Sequence, residues 1–522
     1  MNIVGNRTLK SALEDKVRRV PANTLLLFED RAGNVEHYTY EVFDRRVNQL
    51  AHALGKLGLV KCDKFNLHLR NSPEFLFCWF AAAKTGTVMV PTHPDSTPDE
   101  MEYILTHSEA KVSFVQGSSA ASVLACRARC PRLQEVVVAR EGPVESARPL
   151  GELVLQQPTE PPEALIGPLD EVAMMYTSGT TSKPKGVLIT HANYLHGGEM
   201  MSKAMRVGPE DRHLIVLPFF HAGAHIHAFV PSLIAGASVA VMEAFSASRF
   251  WDQAIAYGAT LAALFAAPVR MLLDQPDCAH DRQHGLRLVT YAQNVTPEEF
   301  EAWHARFGVR LMQLWGMTET MSLPLINPLD LPAKPLSMGM PALGAELRIV
   351  DDAGQEVPPG TIGELVLRGT PGLTLMKGYF KNPEATADTI RGEWLYTGDL
   401  ARMDEEGYFY FVDRKKDIIK RAGENVSAGE VEAVLKEHPA VFDAAVVGVP
   451  DPVRDEAVWG LVILREGASA TEADLIGWCR ERLARFKAPE KIAFRTSFPR
   501  TSVGKIPKHI LRQEVARRAA GI

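Results

Sequence analysis

The 522-residue sequence lacks several features that would assign it to a specialised class of protein. Its formal net charge is -6, so it has no basic excess of the kind that nucleic-acid-binding proteins carry. Its most apolar stretch, 228–242, contains Pro231 and Gly236 and is shorter than the ~20 residues of a membrane-spanning helix. The first residues contain no long apolar run typical of a secretory signal. We therefore expect a cytoplasmic protein with no nucleic-acid partner and no transmembrane segment.

Cysteine is scarce and scattered in this sequence. Of the six cysteines, only Cys126 and Cys130 are close together, and there is no C-x-x-C pair. This argues against a disulfide framework and against a cysteine-based metal site. Reduced thiols in a cytosolic protein fit the pattern better.

The two common phosphate-binding signatures, G-x-x-x-x-G-K-[ST] and G-x-G-x-x-G, are also absent. The segment YTSGTTSKPKG at 176–186 nevertheless concentrates hydroxyl groups, glycines and lysines between two apolar runs. Backbone N–H groups of such a loop can form an anion-binding concavity, to which hydroxyl and lysine side chains add donors. This segment therefore predicts a phosphate site, and a solvated polar turn is the alternative.

The order of apolar segments predicts an α/β fold. Short apolar strands alternate with helical patterns over 35–115 and again over 211–315, which is typical of parallel sheets flanked by helices. From about residue 337, short strands separated by Gly and Pro turns predict a small β unit. A new helix begins near Ser427, where Glu430 completes a capping-box pattern. The remaining C-terminal residues predict a small α+β domain.

Three further polar segments contain groups suited to nucleotide chemistry. QLWGMTET, after a predicted strand, contains the carboxylate of Glu319, and magnesium binds oxygen ligands of this kind near phosphates. WLYTGDL places Asp399 after a tight turn, where it could accept hydrogen bonds from ribose hydroxyls. PRTSVGKIP places Lys505 after a glycine near the C-terminus.

Taken together, YTSGTTSKPKG, WGMTE, YTGD, DRKKDIIKRAGENV and PRTSVGK resemble the adenylate-forming superfamily, which includes acyl-CoA synthetases, luciferases and peptide-synthetase adenylation domains. The match covers nearly the whole chain, in the order and spacing usual for that family. The resemblance implies a large adenylation domain at 1–413, a hinge at 414–417 and a mobile C-terminal domain at 418–522. It also implies that Mg-ATP activates a carboxylic acid as an acyl-adenylate and that CoA then accepts the acyl group.

The resemblance implies a role for each matching residue. The loop over the β- and γ-phosphates would contain Thr177, Ser178, Gly179, Thr180, Thr181 and Lys185. Thr177 and Glu319 would hold magnesium, and Thr318 would contact the α-phosphate region. The nucleotide base would be contacted by Trp315, which replaces the family's usual Tyr, with Gly316 and Gln293 nearby.

The other implied roles concern the ribose, the acyl group and the small domain. Asp399 and Arg414 would bind the ribose, and Lys505 would bridge the carboxylate and the α-phosphate in the first half-reaction. Lys416 would be the hinge residue, and Gly423 would approach the CoA channel in the second half-reaction. The predicted catalytic residues are Lys505, His221, Thr318 and Glu319.

Histidines cluster at His221, His225 and His227. His221 matches the family's aromatic–His segment near the acyl-adenylate, and we expect the other two to line the pocket. A zinc site is an alternative, but the spacing lacks a convincing carboxylate partner. Ser182 and Asp455 replace common family glycines, and 290–299 differs from the family's Gly-Ala-Pro-rich turn.

A narrower resemblance concerns the acid substrate. EFLFCWFAAAKTGTVMVP, KRAGENVS and VRDEAV resemble the crotonobetaine/carnitine–CoA ligase group, so a carnitine- or crotonobetaine-like acid is our first hypothesis. A short- or medium-chain fatty acid, the loading of a carrier protein and a luciferase-like monooxygenase reaction are the alternatives. The oligomeric state is open, and a homodimer is one assembly that fits.

Overall fold

The computed structural model describes residues 2–177, 183–421, 424–451, 455–500 and 506–519, without the side chains of Ala279, Lys416, Asn425, Arg518 and Ala519. The described residues form two compact units. The first contains the residues up to Thr177 with Pro184–Glu346 and Leu367–Leu395. The second contains Leu347–Val366 and the residues from Tyr396 onward. This division does not test the predicted domains and hinge, which stay a prediction.

The secondary structure alternates strands and helices through most of the first unit. In chain order the strands are β1 (Thr24–Glu29), β2 (Val35–Thr39), β3 (Lys64–His68), β4 (Val88–Pro91), β5 (Val112–Gln116), β6 (Glu135–Arg140), β7 (Arg148–Pro149), β8 (Glu171–Thr177), β9 (Lys185–Thr190), β10 (Arg212–Ile215), β11 (Ser238–Met242), β12 (Leu261–Phe265), β13 (Leu288–Ala292), β14 (Arg310–Trp315), β15 (Leu325–Ile326), β16 (Ser337–Pro341), β17 (Glu346–Val350), β18 (Gly363–Arg368), β19 (Gly378–Tyr379), β20 (Ile390–Arg391), β21 (Trp394–Met403), β22 (Phe409–Arg414), β23 (Ile419–Arg421), β24 (Glu424–Val426), β25 (Val441–Asp451), β26 (Asp455–Leu464) and β27 (Lys491–Phe494).

The α-helices are α1 (Leu9–Arg19), α2 (Tyr40–Lys56), α3 (Pro73–Thr85), α4 (Pro98–Ser108), α5 (Ala120–Cys126), α6 (Leu150–Val154), α7 (His191–Ala204), α8 (Ala222–Ala224), α9 (Val230–Ala235), α10 (Phe250–Ala256), α11 (Ala266–Leu273), α12 (Pro297–Phe307), α13 (Pro383–Thr389), α14 (Ala428–Lys436), α15 (Glu472–Arg482) and α16 (Lys508–Ala519). A π-helix, His225–Phe229, connects α8 to α9. None of the described helices combines the length and the apolarity needed to cross a bilayer.

Two sheets form the frame of the first unit. One has the strand order β19-β9-β8-β4-β3-β5-β6-β7, in which β8 pairs antiparallel with β9 and parallel with β4. The other runs β16-β15-β14-β13-β12-β10-β11-β1-β2 and is parallel from β14 to β1. Parallel strands place their carboxyl ends at one edge of the sheet, and ligands of open α/β sheets bind outside such edges.

The second unit contains two smaller sheets. The first has the strand order β17-β18-β21-β22, and its β21 and β22 are antiparallel. The second has the order β24-β23-β26-β25, with β27 parallel to β26. Helices α14 and α15 pack on this second sheet through a core that includes Val431, Leu435, Leu475 and Cys479.

The predicted fold class, α/β with a small C-terminal α+β part, is confirmed. Helix α2 has Leu57 as its C-terminal cap residue, and Gly58 follows with φ 77°. Ser427 caps α14 as predicted, because its Oγ accepts a hydrogen bond from the Glu430 N–H at 3.1 Å. The predicted start of α14 is therefore confirmed by its N-cap, while the Glu430 carboxylate accepts from Lys487 Nζ at 2.8 and 2.7 Å.

Gly339 in β16 gives a test of this packing. Its φ is +99°, and an added Cβ would lie 2.0 Å from the carbonyl carbon of Ile326 in β15. We expect Gly339→Ala to lower the free energy of unfolding by about 3 kcal/mol through overpacking and strain. The control is Gly308→Ala, which also has positive φ, 69°, but meets no atom within 4 Å. Urea unfolding of both variants checks this, and equal losses would contradict the close contact.

Candidate functional site

The predicted phosphate loop joins the antiparallel strands β8 and β9. Thr177, the last residue of β8, pairs with Lys185, the first residue of β9. The structure therefore brings the two ends of the predicted loop together. The predicted residues between them, Ser178, Gly179, Thr180 and Thr181, lie outside the described residues.

Helix α4 contacts β8 and the residue that precedes β9. The Tyr103 hydroxyl donates to the Pro184 carbonyl at 2.8 Å, and His107 Nδ1 shares a hydrogen bond with the Tyr176 hydroxyl at 2.7 Å. Burial lowers the pKa of His107, with Lys381 as a further cause, so its ring stays neutral near pH 7. Sequence reasoning missed Tyr103 and His107, because no local motif connects α4 to the loop.

The predicted magnesium ligand Glu319 is buried and connected to Lys185 through Tyr379. The Tyr379 hydroxyl donates to Glu319 Oε1 at 2.8 Å, and Lys185 Nζ lies 4.1 Å from the centroid of the Tyr379 ring. Burial, together with the adjacent Glu319 carboxylate, raises the pKa of Tyr379, so the phenol keeps its proton and donates it. The structure thus joins two predicted site residues through one that the sequence did not reveal.

The turn that carries Glu319 is tightly packed. Gly316 follows β14, and a Cβ there would lie 2.5 Å from the Ser322 carbonyl oxygen, so only glycine fits. The Thr320 hydroxyl accepts from the Met317 N–H at 3.1 Å and lies 2.9 Å from the Ser322 carbonyl oxygen. Trp315 is buried at the end of β14, and Thr318 is half-buried in the turn.

Gln293 and Trp315 lie at the same edge of the sheet. Tyr291 of β13 pairs in parallel with Gln313 of β14, and each predicted site residue lies two positions beyond that pair. Gln313 Nε2 donates to Asn294 Oδ1 at 2.6 Å, which ties the two strand ends together. Gln293 has φ 74°, a strained value for a residue other than glycine that is often found at functional sites.

The three clustered histidines have different environments. His221 Nδ1 accepts from the Gly223 N–H at 3.1 Å, and its ring meets Phe265 edge to face. His225 is fully buried, with Nδ1 bound to the Tyr194 hydroxyl and Nε2 donating to the Phe219 carbonyl. The predicted pocket role of His225 does not fit this environment, because both ring nitrogens are already engaged in the core.

His227 is also buried, and its Nδ1 has no hydrogen-bond partner within the described part of the chain. Burial lowers the pKa of His227 and of His225 to about 3. No group of three or more His, Cys, Asp or Glu among the described residues could hold a metal ion. The zinc alternative therefore has no support in this region.

The second unit contains the predicted ribose-binding pair. Asp399 and Arg414 face each other across β21 and β22, and Arg414 Nε lies 2.7 Å from Asp399 Oδ1. Asp399 is 1% exposed, and its N–H donates to the Thr397 hydroxyl at 3.0 Å. The structure thus pairs two residues that were both predicted to bind ribose.

Asp413, just before the predicted hinge, binds the start of α14. Its Oδ2 accepts from the Ser427 hydroxyl and from the Gly429 N–H, each at 2.9 Å. A carboxylate at a helix N-terminus is stabilised by the unpaired N–H groups and the helix dipole there. The predicted residues Gly423 and Lys505, and the side chain of Lys416, lie outside the described residues.

Comparison with known proteins defines the class of this chain. Residues 13–380 match the AMP-binding enzyme family, and residues 430–505 match the AMP-binding enzyme C-terminal domain. The chain belongs to this family, as its motifs predicted. The predicted enzyme class, an AMP-forming acyl-CoA synthetase that uses ATP and CoA, is confirmed.

Particular relatives cover almost the whole chain. It is 37% identical to a crotonobetaine/carnitine–CoA ligase of Salmonella arizonae over 98% of this chain and 100% of that protein. It is 37% identical to the Shigella flexneri protein of the same name over 97% and 99%.

Solved structures of similar proteins have the same fold. The anthranilate CoA ligase AuaEII with anthranoyl-AMP matches at 28% identity and a TM-score of 0.90, over 99% and 98% of the two chains. ATP-bound MatB from Rhodopseudomonas palustris matches at 27% identity and a TM-score of 0.88, over 98% and 99%.

The buried histidines predict how stability depends on pH. Unfolded histidine has a pKa of about 6.5, while the pKa of folded His227 is about 3. Between about pH 6.5 and pH 3, only the unfolded chain binds a proton at this histidine. The contribution of neutral His227 to the free energy of unfolding is therefore complete above about pH 6.5 and is lost as the pH falls toward 3. We expect His227→Phe to reduce this loss by about 1.4 kcal/mol per pH unit between pH 6 and 4.

Urea unfolding at several pH values measures this slope. His37→Phe, which makes the same substitution at an exposed position on β2, is the control. A His227→Phe slope equal to that of the control would show that His227 is protonated in the folded state.

Proposed function

We propose that this enzyme activates a small carboxylic acid with Mg-ATP as an acyl-adenylate and transfers the acyl group to CoA. The observation that carries the proposal is the chain of contacts from Lys185 through Tyr379 to Glu319, which joins the end of a hydroxyl-rich loop to a buried carboxylate. A lysine and a metal-binding carboxylate side by side are what a triphosphate requires. Full-length similarity to CoA ligases supports the same reaction.

The donor set at Glu319 fits magnesium. Tyr379 binds only Oε1 of Glu319, so the carboxylate retains oxygen lone pairs for a hard cation. We propose that Glu319 and the hydroxyl of Thr177 hold the ion, which would neutralise charge on the phosphates as pyrophosphate leaves. Lys185 and the loop residues would bind the β- and γ-phosphates, with Thr318 near the α-phosphate.

The two half-reactions follow from the weakness of a carboxylate as an electrophile. A carboxylate oxygen of the substrate attacks the α-phosphorus, and the bond to pyrophosphate breaks. The CoA thiolate then attacks the acyl carbon, and AMP leaves with the electron pair. Most of the catalysis is positioning and charge stabilisation. We assign the binding of the adenine base to Trp315, Gly316 and Gln293. We assign the binding of the ribose to Asp399 and Arg414.

The proposed acid is a carnitine- or crotonobetaine-like molecule. Support comes from the relatives named for these substrates, which are 36–37% identical over nearly the full length. We assign His221 to the region of the acyl-adenylate. A cytoplasmic location and a homodimer remain part of the proposal.

A panel of acids tests the substrate. We expect pyrophosphate exchange into ATP with crotonobetaine or carnitine to exceed that with C4 to C16 fatty acids by about 10-fold, a preference of about 1.4 kcal/mol, because the relatives named for these substrates are similar over nearly the full length. If exchange is faster with a fatty acid, the proposed substrate is wrong and the proposed reaction is retained. If none of the acids supports exchange, the proposed reaction itself is overturned.

Lys505 and Lys416 separate the two half-reactions. We expect Lys505→Ala to slow adenylate formation by about 100-fold or more while acyl-AMP supplied with CoA still yields thioester, because its charge is needed only at the α-phosphate. Lys416→Pro should instead keep adenylate formation and block thioester formation, because proline fixes φ at the proposed hinge. Single-turnover assays of each half-reaction measure this, and equal losses in both steps for both variants would contradict domain rotation.

A further inference from the structure

Tyr379 contacts both halves of the proposed Mg-ATP site. It lies in the short strand β19 and is 6% exposed. Its hydroxyl donates to Glu319 Oε1 at 2.8 Å, while its ring face lies 4.1 Å from Lys185 Nζ. One buried side chain therefore touches the proposed metal ligand and the proposed phosphate ligand.

The backbone around Tyr379 is fixed on both sides. Tyr379 pairs with Val187 of β9, and the Phe380 N–H donates to the Gly186 carbonyl at 2.8 Å. The Met376 N–H donates to the carbonyl of Glu319 at 2.8 Å. Residues 376–380 thus connect strand β9, which follows the loop, to the turn that carries Glu319.

This arrangement restricts the Glu319 side chain. A carboxylate can rotate about its last bond, and a hydrogen bond to one oxygen selects one orientation and leaves the other oxygen available. Partners that orient a ligating group commonly affect metal affinity by 10- to 100-fold. The hydroxyl of Tyr379 is in the position to do this for Glu319, and the ring face is in the position to hold the ammonium of Lys185.

We propose that Tyr379 is a positioning residue that couples the divalent cation to the triphosphate. Its hydroxyl orients Glu319 for the cation, and its ring places Lys185 beside the phosphates. The proposal rests on the proposed function, because it takes Glu319 as the metal ligand. It predicts that the two contributions of one side chain can be removed separately.

Two substitutions make this separation. Tyr379→Phe removes the hydroxyl and keeps the ring, so we expect the Kd for Mn²⁺ in the presence of α,β-methylene-ATP to rise about 10-fold. At saturating Mn²⁺, its affinity for the analogue should stay within twofold of the unchanged protein. Tyr379→Leu also removes the ring face, so its analogue affinity should fall at saturating Mn²⁺ as well. Electron paramagnetic resonance measures free Mn²⁺, and calorimetry measures analogue binding.

Tyr40→Phe is the matched control. Tyr40 is fully buried, and its hydroxyl donates to the Ala237 carbonyl at 2.7 Å. Both tyrosine-to-phenylalanine variants lose one buried hydrogen bond, so similar decreases in Tm are expected. Only Tyr379→Phe should change Mn²⁺ binding and the magnesium concentration that half-saturates pyrophosphate exchange.

The outcomes separate this inference from the proposed function. Unchanged Mn²⁺ binding in Tyr379→Phe, with a Tm decrease equal to that of Tyr40→Phe, would make the residue purely structural and overturn the inference. The unchanged protein could bind Mn²⁺ with the analogue while none of the tested acids supports pyrophosphate exchange. The proposed function is then wrong, and the Mn²⁺ comparison still decides the role of Tyr379. If the unchanged protein binds no Mn²⁺ with the analogue, both are overturned.

Discussion

A buried carboxylate, Glu319, is the constraint on which the described site of the first unit depends. Burying a charged group is costly unless it is hydrogen-bonded, and Tyr379 supplies that bond while Met376 binds the backbone of the same residue. The tight turn from Gly316 then places Glu319 directly after β14. Because Tyr379 also pairs with β9, the loop end and the carboxylate share one support. The end of β9 and the Glu319 carboxylate, held in this way, keep their spacing through contacts within the protein.

Much of this architecture could be predicted from the sequence because it depends on local patterns. The alternation of apolar strands and helical patterns over 35–115 and 211–315 predicted the α/β fold of these regions, and polar motifs predicted site roles for Trp315, Glu319 and Asp399. Asp399 and Arg414 were both predicted to bind ribose, and the structure brings the two side chains together. In each case the residues that carry the signal are neighbours in the chain.

The rest depends on contacts between distant parts of the chain. Tyr379 is 60 residues from Glu319, and its neighbouring sequence gives no sign that its hydroxyl meets a carboxylate. Tyr103 and His107 contact Pro184 and Tyr176, which flank the loop, in the same non-local way. Sequence alone also grouped His225 with His221, although the π-helix turns His225 into the aromatic core against Trp79, at 4.1 Å between ring centroids. A spacing pattern cannot distinguish a core histidine from a pocket histidine.

The bond between Asp413 and the start of α14 has a consequence for how this end of the helix can move. Any motion that separates α14 from the end of β22 has to break two hydrogen bonds to a buried carboxylate. The arrangement that keeps them is favoured by roughly the free energy of those two bonds, and each 1.4 kcal/mol makes a separated arrangement tenfold rarer. A single aspartate therefore makes the strand end and the helix start move together.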